Sequence, residues 1–122
     1  MNEDSIHIAL VKWMTMQYPR DRFLWFHVPN GGKRSRGEAI KFKRQGVLAG
    51  VADILILEQR TGVEQSQPKC GFALELKTPT GTVSQSQKDF LLMVQEKNWH
   101  SDVSYGLDEA IEKVQDYMNN NF

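Results

Sequence analysis

The sequence predicts an α/β fold in which one mixed β-sheet carries helices on its faces. Three observations predict it. Short aromatic, β-branched or apolar runs at 23–28, 51–57, 71–77 and 102–105 read as strands. Helix-period apolar patterns stand before the first run and after the third and fourth. Glycine, proline and polar residues punctuate the connections, the pattern of a sheet flanked by helices.

The elements follow in order. Ile6, Ala9, Leu10, Trp13, Met14 and Met16 lie at mostly helical spacing over residues 5–18, with Asp4 or Ser5 available as a cap and Pro19 beyond the end. Phe23 to Val28 reads as a strand, broken by Pro29-Asn30-Gly31-Gly32. Residues 36–46 predict a short basic helix stopping at Gly46. Val51 to Leu57 is apolar except for Asp53, the pattern of a strand buried on both faces. Residues 58–69 are polar, contain Gly62 and Pro68, and predict an exposed turn. Gly71 to Lys77 is the next strand, ended by Thr78-Pro79-Thr80-Gly81. A helix over 84–97 carries Phe90, Leu91 and Val94, and Ser84 with Gln87 forms a capping-box pattern at its start. A short strand, Asp102 to Tyr105, precedes a last helix, Leu107 to Met118, with Leu107, Ala110, Ile111, Val114 and Met118 on one side. No internal repeat or long low-complexity tract interrupts the series.

A length of 122 residues suits a single domain, 1–122, and a 40% hydrophobic content suits one modest core. No apolar run approaches the roughly 20 residues that span a bilayer, so no membrane association is expected. The acidic N-terminal residues lack the basic region of a secretory signal. Cys70 has no cysteine to pair with, which points to a reducing cytoplasm and to a place in the core. No Cys/His cluster has zinc spacing. Trp13, Trp25 and Trp99 are expected to be core residues, and His27 to pack within its aromatic strand.

Formal charge is zero, from 15 basic and 15 acidic residues, which by itself does not suggest nucleic acid. The distribution is uneven. Lys33, Arg34, Arg36, Lys41, Lys43 and Arg44 face a single acid, Glu38, between 33 and 44. Taken alone, this run also fits a solvated helix face.

Three ionisable residues interrupt apolar strands: Asp53 in VADILIL, and Glu75 and Lys77 in FALELKT. Residues two apart in a strand share a face, so Glu75 and Lys77 are neighbours while Leu74 and Leu76 point the other way. If the strand of Asp53 pairs with this one, the three groups converge. A carboxylate buried in a sheet is costly unless it is paired or binds a cation. Two close carboxylates repel, and a hard divalent ion relieves that repulsion. Lys77 is a point charge able to polarise a water or a phosphate oxygen. A plain Glu75–Lys77 ion pair, with Asp53 at a turn, is the other reading of the same residues.

The segments H-V-P-N-G-G-K-R-S (27–35), G-V-L-A-G-V-A-D-I-L-I-L (46–57) and A-L-E-L-K-T-P-T-G-T-V-S-Q-S-Q (73–87) resemble the VRR-NUC family. This is the virus-type replication-repair branch of the PD-(D/E)xK nucleases, similar to Holliday-junction resolvases and to the nuclease domain of the Fanconi-associated nuclease. The resemblance covers nearly the whole chain. It implies a restriction-endonuclease-like mixed β-sheet flanked by helices, and hydrolysis of phosphodiester bonds in structured DNA with Mg²⁺ or Mn²⁺. By position it implies Asp53 and Glu75 as metal ligands, with the Leu76 carbonyl as a third and Glu3 completing the shell. It implies Lys77 as the catalytic lysine and Gln87 as a glutamine facing the site. Glu3 also fits a simpler role, an acid favoured at a helix N-terminus. Two positions depart from the family pattern: Ala52 stands where proline is frequent, and Gly32 where glutamate is frequent. Neither removes a ligand, although Gly32 puts the DNA contacts of the 29–32 loop in doubt.

Beside such a site, the basic stretch becomes a phosphate-contact surface formed by Asn30, Gly31, Lys33, Arg34, Ser35, Arg36, Lys41, Lys43 and Arg44, with salt-dependent affinity. The expected function is a metal-dependent endodeoxyribonuclease acting on branched DNA such as four-way junctions. A homodimer would supply two symmetric cuts, with Trp13 or Met118 as interface contributors. A flap or nicking nuclease of DNA repair or phage DNA processing is the alternative within enzymes. A non-catalytic DNA-binding module is the alternative outside them.

Overall fold

The computed structural model describes residues 1–29 and 35–122. Asn30, Gly31, Gly32, Lys33 and Arg34, assigned above to the DNA surface and its loop, lie outside the described residues.

The first helix, α1, spans Glu3–Gln17, and its buried residues Ile6, Leu10 and Met14 recur every four positions. Asn2 is the cap in place of Asp4 or Ser5, its Oδ1 accepting from the Ser5 N–H at 2.8 Å. Glu3 and Asp4 therefore fall in the first turn, at the positive end of the helix dipole. Met16, on the opposite side, is exposed. The next stretch differs from the sequence reading. Pro19–Leu24 is a 3-10 helix, and the strand is shortened to β1, Trp25–His27. Pro19 suits the first position of a helical turn because it has no N–H to satisfy. Phe23 and Leu24 belong to that turn and are exposed.

After α2 (Arg36–Arg44), β2 is limited to Ile54–Ile56. The residues before it enter through a turn with Gly50 at φ +94°, where a Cβ would lie 2.8 Å from the Ser86 backbone. Only glycine permits both that φ and that approach. Then come β3 (Phe72–Lys77) and α3 (Gln85–Glu96), which carries the expected Ser84–Gln87 capping box. β4 (His100–Tyr105) starts two residues earlier than its sequence suggests, and α4 (Leu107–Met118) follows. His100 and Ser101 lack an apolar signal. The His100 ring nevertheless packs against Phe72, Tyr117 and Phe122, and the buried Ser101 hydroxyl donates to the Leu91 carbonyl.

The sheet order is β1-β2-β3-β4, with β1–β2 and β2–β3 antiparallel and β3–β4 parallel. The expected mixed sheet with flanking helices is therefore what forms. β3 is central and buried along its whole length. Its Phe72, Leu74 and Leu76 join Trp25, Ile54 and Ile56 in a core with Leu10 and Met14 of α1 and Ala110, Val114 and Tyr117 of α4. Its other face carries Ala73, which clusters with Ala52 and Leu91.

Two expectations about single residues fail. Cys70 is exposed, because it lies just before β3 beyond the cover of either core. Met118 is buried in the α4 core and so offers no free interface surface, while Trp13 is partly buried, in T-shaped contact with Tyr18. Trp25 is buried as expected, and Trp99 is partly buried beside Ala73 and Leu91. No helix among the described residues is long and apolar enough to cross a membrane.

Candidate active site

The β2–β3 register pairs Ile54 with Leu74. Continued by one residue, it sets Asp53 opposite Glu75. The β1–β2 register places Val28 on the other side of Asp53, and the Val28 N–H donates to the Asp53 carbonyl at 3.3 Å. Asp53 is also held by its side chain, since its Oδ2 accepts from the Leu76 N–H at 2.8 Å. The carboxylate thus caps the end of two strands, tied to β1 by its backbone and to β3 by its side chain.

Glu75 is only 2% exposed. Its Oε1 accepts from Gln87 Nε2 at 2.8 Å and lies 3.8 Å from Lys77 Nζ. The Gln87 amide is oriented by the capping box: its Oε1 accepts the Ser84 N–H at 2.9 Å, which leaves the NH₂ end free to face Glu75. Gly50 seats the loop before Asp53 against the same first turn of α3. One helix start thereby abuts both carboxylate-bearing segments.

Burial, followed by the negative charge of Asp53, pushes the Glu75 carboxyl up to about 9, while Lys77 pulls it down and Glu3 adds a smaller upward push. Two adjacent carboxyls can share a proton only while one of them is neutral. When both are ionised, Glu75 Oε2 is buried and has no donor. An anionic oxygen in that position is costly unless a cation meets it.

Glu3 reaches this point from the N-terminus of α1. One carboxylate oxygen each from Glu3, Asp53 and Glu75 lie within 4.8 Å of one another. A hard divalent ion takes oxygen ligands of this kind, and the unpartnered Glu75 Oε2 is an oxygen available to it. These residues fit a metal. Leu76 meets the site through its backbone, where its N–H donates to Asp53, while its side chain lies in the opposite core.

Two neighbours of the site carried no signal of this role in the sequence. His27, expected to be packed, is exposed on β1, and its Nδ1 lies 2.7 Å from the Asp53 carbonyl oxygen. A carbonyl only accepts, so Nδ1 carries the proton. His7 of α1 meets the His27 ring edge-to-face, with centroids 4.2 Å apart. Burial and the neighbouring His27 lower the His7 pKa. For His7 alone, helical spacing could have been a hint, since Glu3 and His7 are four apart and share a face; for His27 the sequence offers none.

The basic helix α2 stands apart from both cores. Ser35 caps it, its Oγ accepting from the Glu38 N–H at 3.1 Å, and Arg36, Lys41, Lys43 and Arg44 are all exposed. No residue of α2 is buried.

The VRR-NUC domain profile matches residues 1–108. Among curated proteins none matches. A solved structure described as a VRR_NUC domain protein is similar at a TM-score of 0.81 and 25% identity, over 99% of this chain and 91% of that one. The mixed sheet, its flanking helices and the crossing of β2 and β3 at a carboxylate cluster all agree with a restriction-endonuclease-like fold. With the profile covering most of its length, the chain belongs to the VRR-NUC family of nuclease domains.

Proposed function

We propose that this chain is a Mg²⁺- or Mn²⁺-dependent endodeoxyribonuclease, one domain over 1–122, that cuts branched DNA such as four-way junctions and works in the cytoplasm as a homodimer. Membership of a nuclease domain family supports phosphodiester hydrolysis. One observation carries the metal dependence: Glu75, whose Oε2 is buried without a hydrogen-bond partner, clusters its carboxylate with those of Asp53 and Glu3.

In this reading Asp53, Glu75 and Glu3 hold the ion, with the Leu76 carbonyl as a further ligand. A divalent ion there supplies neutralisation of phosphate charge and an activated water at neutral pH. Lys77, whose Nζ lies 3.8 Å from Glu75 Oε1, donates to the attacking water or to a phosphate oxygen. Gln87 fixes the plane of the Glu75 carboxylate. Ser35, Arg36, Lys41, Lys43 and Arg44, with Asn30, Gly31, Lys33 and Arg34, neutralise flanking phosphates. Two copies related by a two-fold axis match the symmetry of a four-way junction.

The test is a cleavage panel of duplex, single strand, flaps of both polarities, splayed arm and four-way junction, at one salt concentration, with Mg²⁺, Mn²⁺ or chelator. Junction cutting that stops with chelator and with Asp53→Asn is the expected result. Cleavage that persists in chelator overturns the metal reading. Flap cutting with junctions left whole overturns the substrate. Light scattering that finds a monomer both free and on junction DNA overturns the paired cut.

A further inference from the structure

Asp53 belongs to two ligand sets. One is the carboxylate set with Glu3 and Glu75. The other is His7, His27 and Asp53, in which one ligand atom from each residue lies within 4.8 Å of the other two. We propose that this second set is a separate cation site of transition-metal type, sharing Asp53 as a bridge and taking Zn²⁺ in preference to Mg²⁺. The proposal goes beyond the cleavage reading, because it concerns which ions the chain binds and stands whether or not the carboxylate set is the cleavage centre.

Three independent features support it. The first is chemistry: imidazole suits Zn, Ni, Cu and Fe, whereas Mg²⁺ prefers oxygen. Two imidazoles and a carboxylate are a donor set that three-ligand zinc sites use, with one position left open. The second is tautomer. His27 Nδ1 donates to the Asp53 backbone carbonyl at 2.7 Å, so the ring's lone pair sits on Nε2. A ring N–H held by a carbonyl is the outer-shell bond that metal-bound histidines almost always make. The third is access. A cavity of about 430 Å³ lined by Asp4, His7, Ile8, Val11 and His27 opens directly onto the two rings.

Binding requires the three ligand atoms, now within 4.8 Å of one another, to close in on one ion. Metal–nitrogen bonds of about 2.0–2.1 Å in a tetrahedron set ligand atoms about 3.3 Å apart. The edge-to-face pose of the rings, 88° between planes, already aims an edge of one at the other. His7 stands on α1 one turn from Glu3, so one helix contributes a ligand to each set. A bridging carboxylate between two ions is the arrangement of two-metal phosphodiester chemistry.

The experiment is NMR of protein with ¹⁵N-labelled histidine rings and no affinity tag, titrated with Zn²⁺ and separately with Mg²⁺. The chain has 3 histidines, and His100, packed against Phe72 and Phe122, is an internal control. The expected result is that one equivalent of Zn²⁺ shifts the ring nitrogens of His7 and His27 and leaves His100 in place. Mg²⁺ should give none of the three the large nitrogen shift of direct metal coordination. His7→Gln and His27→Gln should each weaken Zn²⁺ binding by tenfold or more in calorimetry, with unchanged melting of the ion-free protein. Glu75→Gln should leave the Zn²⁺-induced ring shifts intact, which separates this site from the carboxylate set. Unmoved His7 and His27 rings, equal shifts at His100, or wild-type Zn²⁺ affinity in both glutamine variants would each overturn the proposal.

Discussion

Alternate residues of β3 live in two different environments. Phe72, Leu74 and Leu76 face α1 and α4 within the larger apolar core. Ala73, Glu75 and Lys77 face the side of α3, where a buried carboxylate meets Asp53, Gln87 and Lys77. Full burial of a large apolar side chain stabilises by about 1.5–3 kcal/mol. The Glu75 charge acts in the opposite direction, since burial and Asp53 both disfavour it. The strand is anchored by one face, and this lets the other hold groups that repel each other. Stability and chemistry are thereby assigned to alternate residues of the same six-residue segment.

The largest effect expected from this division is on the chemical face. In the proposed mechanism Glu75→Gln removes a metal ligand, and the ion would supply several kcal/mol of transition-state stabilisation. At 1.36 kcal/mol per factor of ten, cleavage should fall about a thousandfold or more. The same variant should melt at a higher temperature than wild type in chelator at neutral pH, because folding no longer has to protonate a carboxyl that is ionised in the unfolded chain. A variant that cuts at the wild-type rate, or that melts lower, breaks the comparison. On the other face, Leu74→Ala should cost about 2–5 kcal/mol by denaturant titration while the folded fraction keeps its metal affinity.

The pH dependence sharpens the contrast. The Glu75 carboxyl is raised from an ordinary 4.5 to about 9. Between those values the folded chain holds a proton that the unfolded chain has lost. Its contribution to stability is fully present below 4.5 and disappears as pH rises through about 9. Ion-free protein should therefore melt lower at alkaline than at mildly acidic pH, and Glu75→Gln should flatten that slope. A saturating divalent ion should also flatten it, because a ligand carboxylate must be deprotonated.

Smaller effects test the supports. Gln87→Ala frees the Glu75 carboxylate to rotate, and outer-shell losses of this kind cost about 10–100-fold in metal affinity or activity. Lys77→Ala should abolish cleavage while calorimetry finds metal affinity within a few fold of wild type. The smallest change is expected on α2. Arg36→Ala should weaken DNA binding about evenly across sequences and reduce the salt slope by roughly one. Sequence-selective loss there would mean that α2 reads bases.

Much of this was legible in local pattern. Apolar periodicity marked the helices and strands. The two-residue repeat put Glu75 and Lys77 on one face, and Ser84 with Gln87 announced the start of α3. Errors gathered where polar or aromatic residues obscure periodicity. Phe23 and Leu24 look like strand but turn in a 3-10 helix after Pro19, while His100 and Ser101 look like loop but begin β4. Both outcomes depend on partners that sequence neighbours do not reveal.

The sequence by itself determined the order of elements, the alternation along β3 and the chemical types available, because these follow from local backbone geometry and side-chain period. Only the tertiary structure decided that Asp53 stands opposite Glu75, since pairing register joins segments more than twenty residues apart. It also decided that α1 brings both Glu3 and His7 to Asp53. Burial was settled at the same level, with Cys70 left outside the core and Met118 taken into it. Exposure is a property of what packs against a residue, and long-range packing is selected by the free energy of the whole fold.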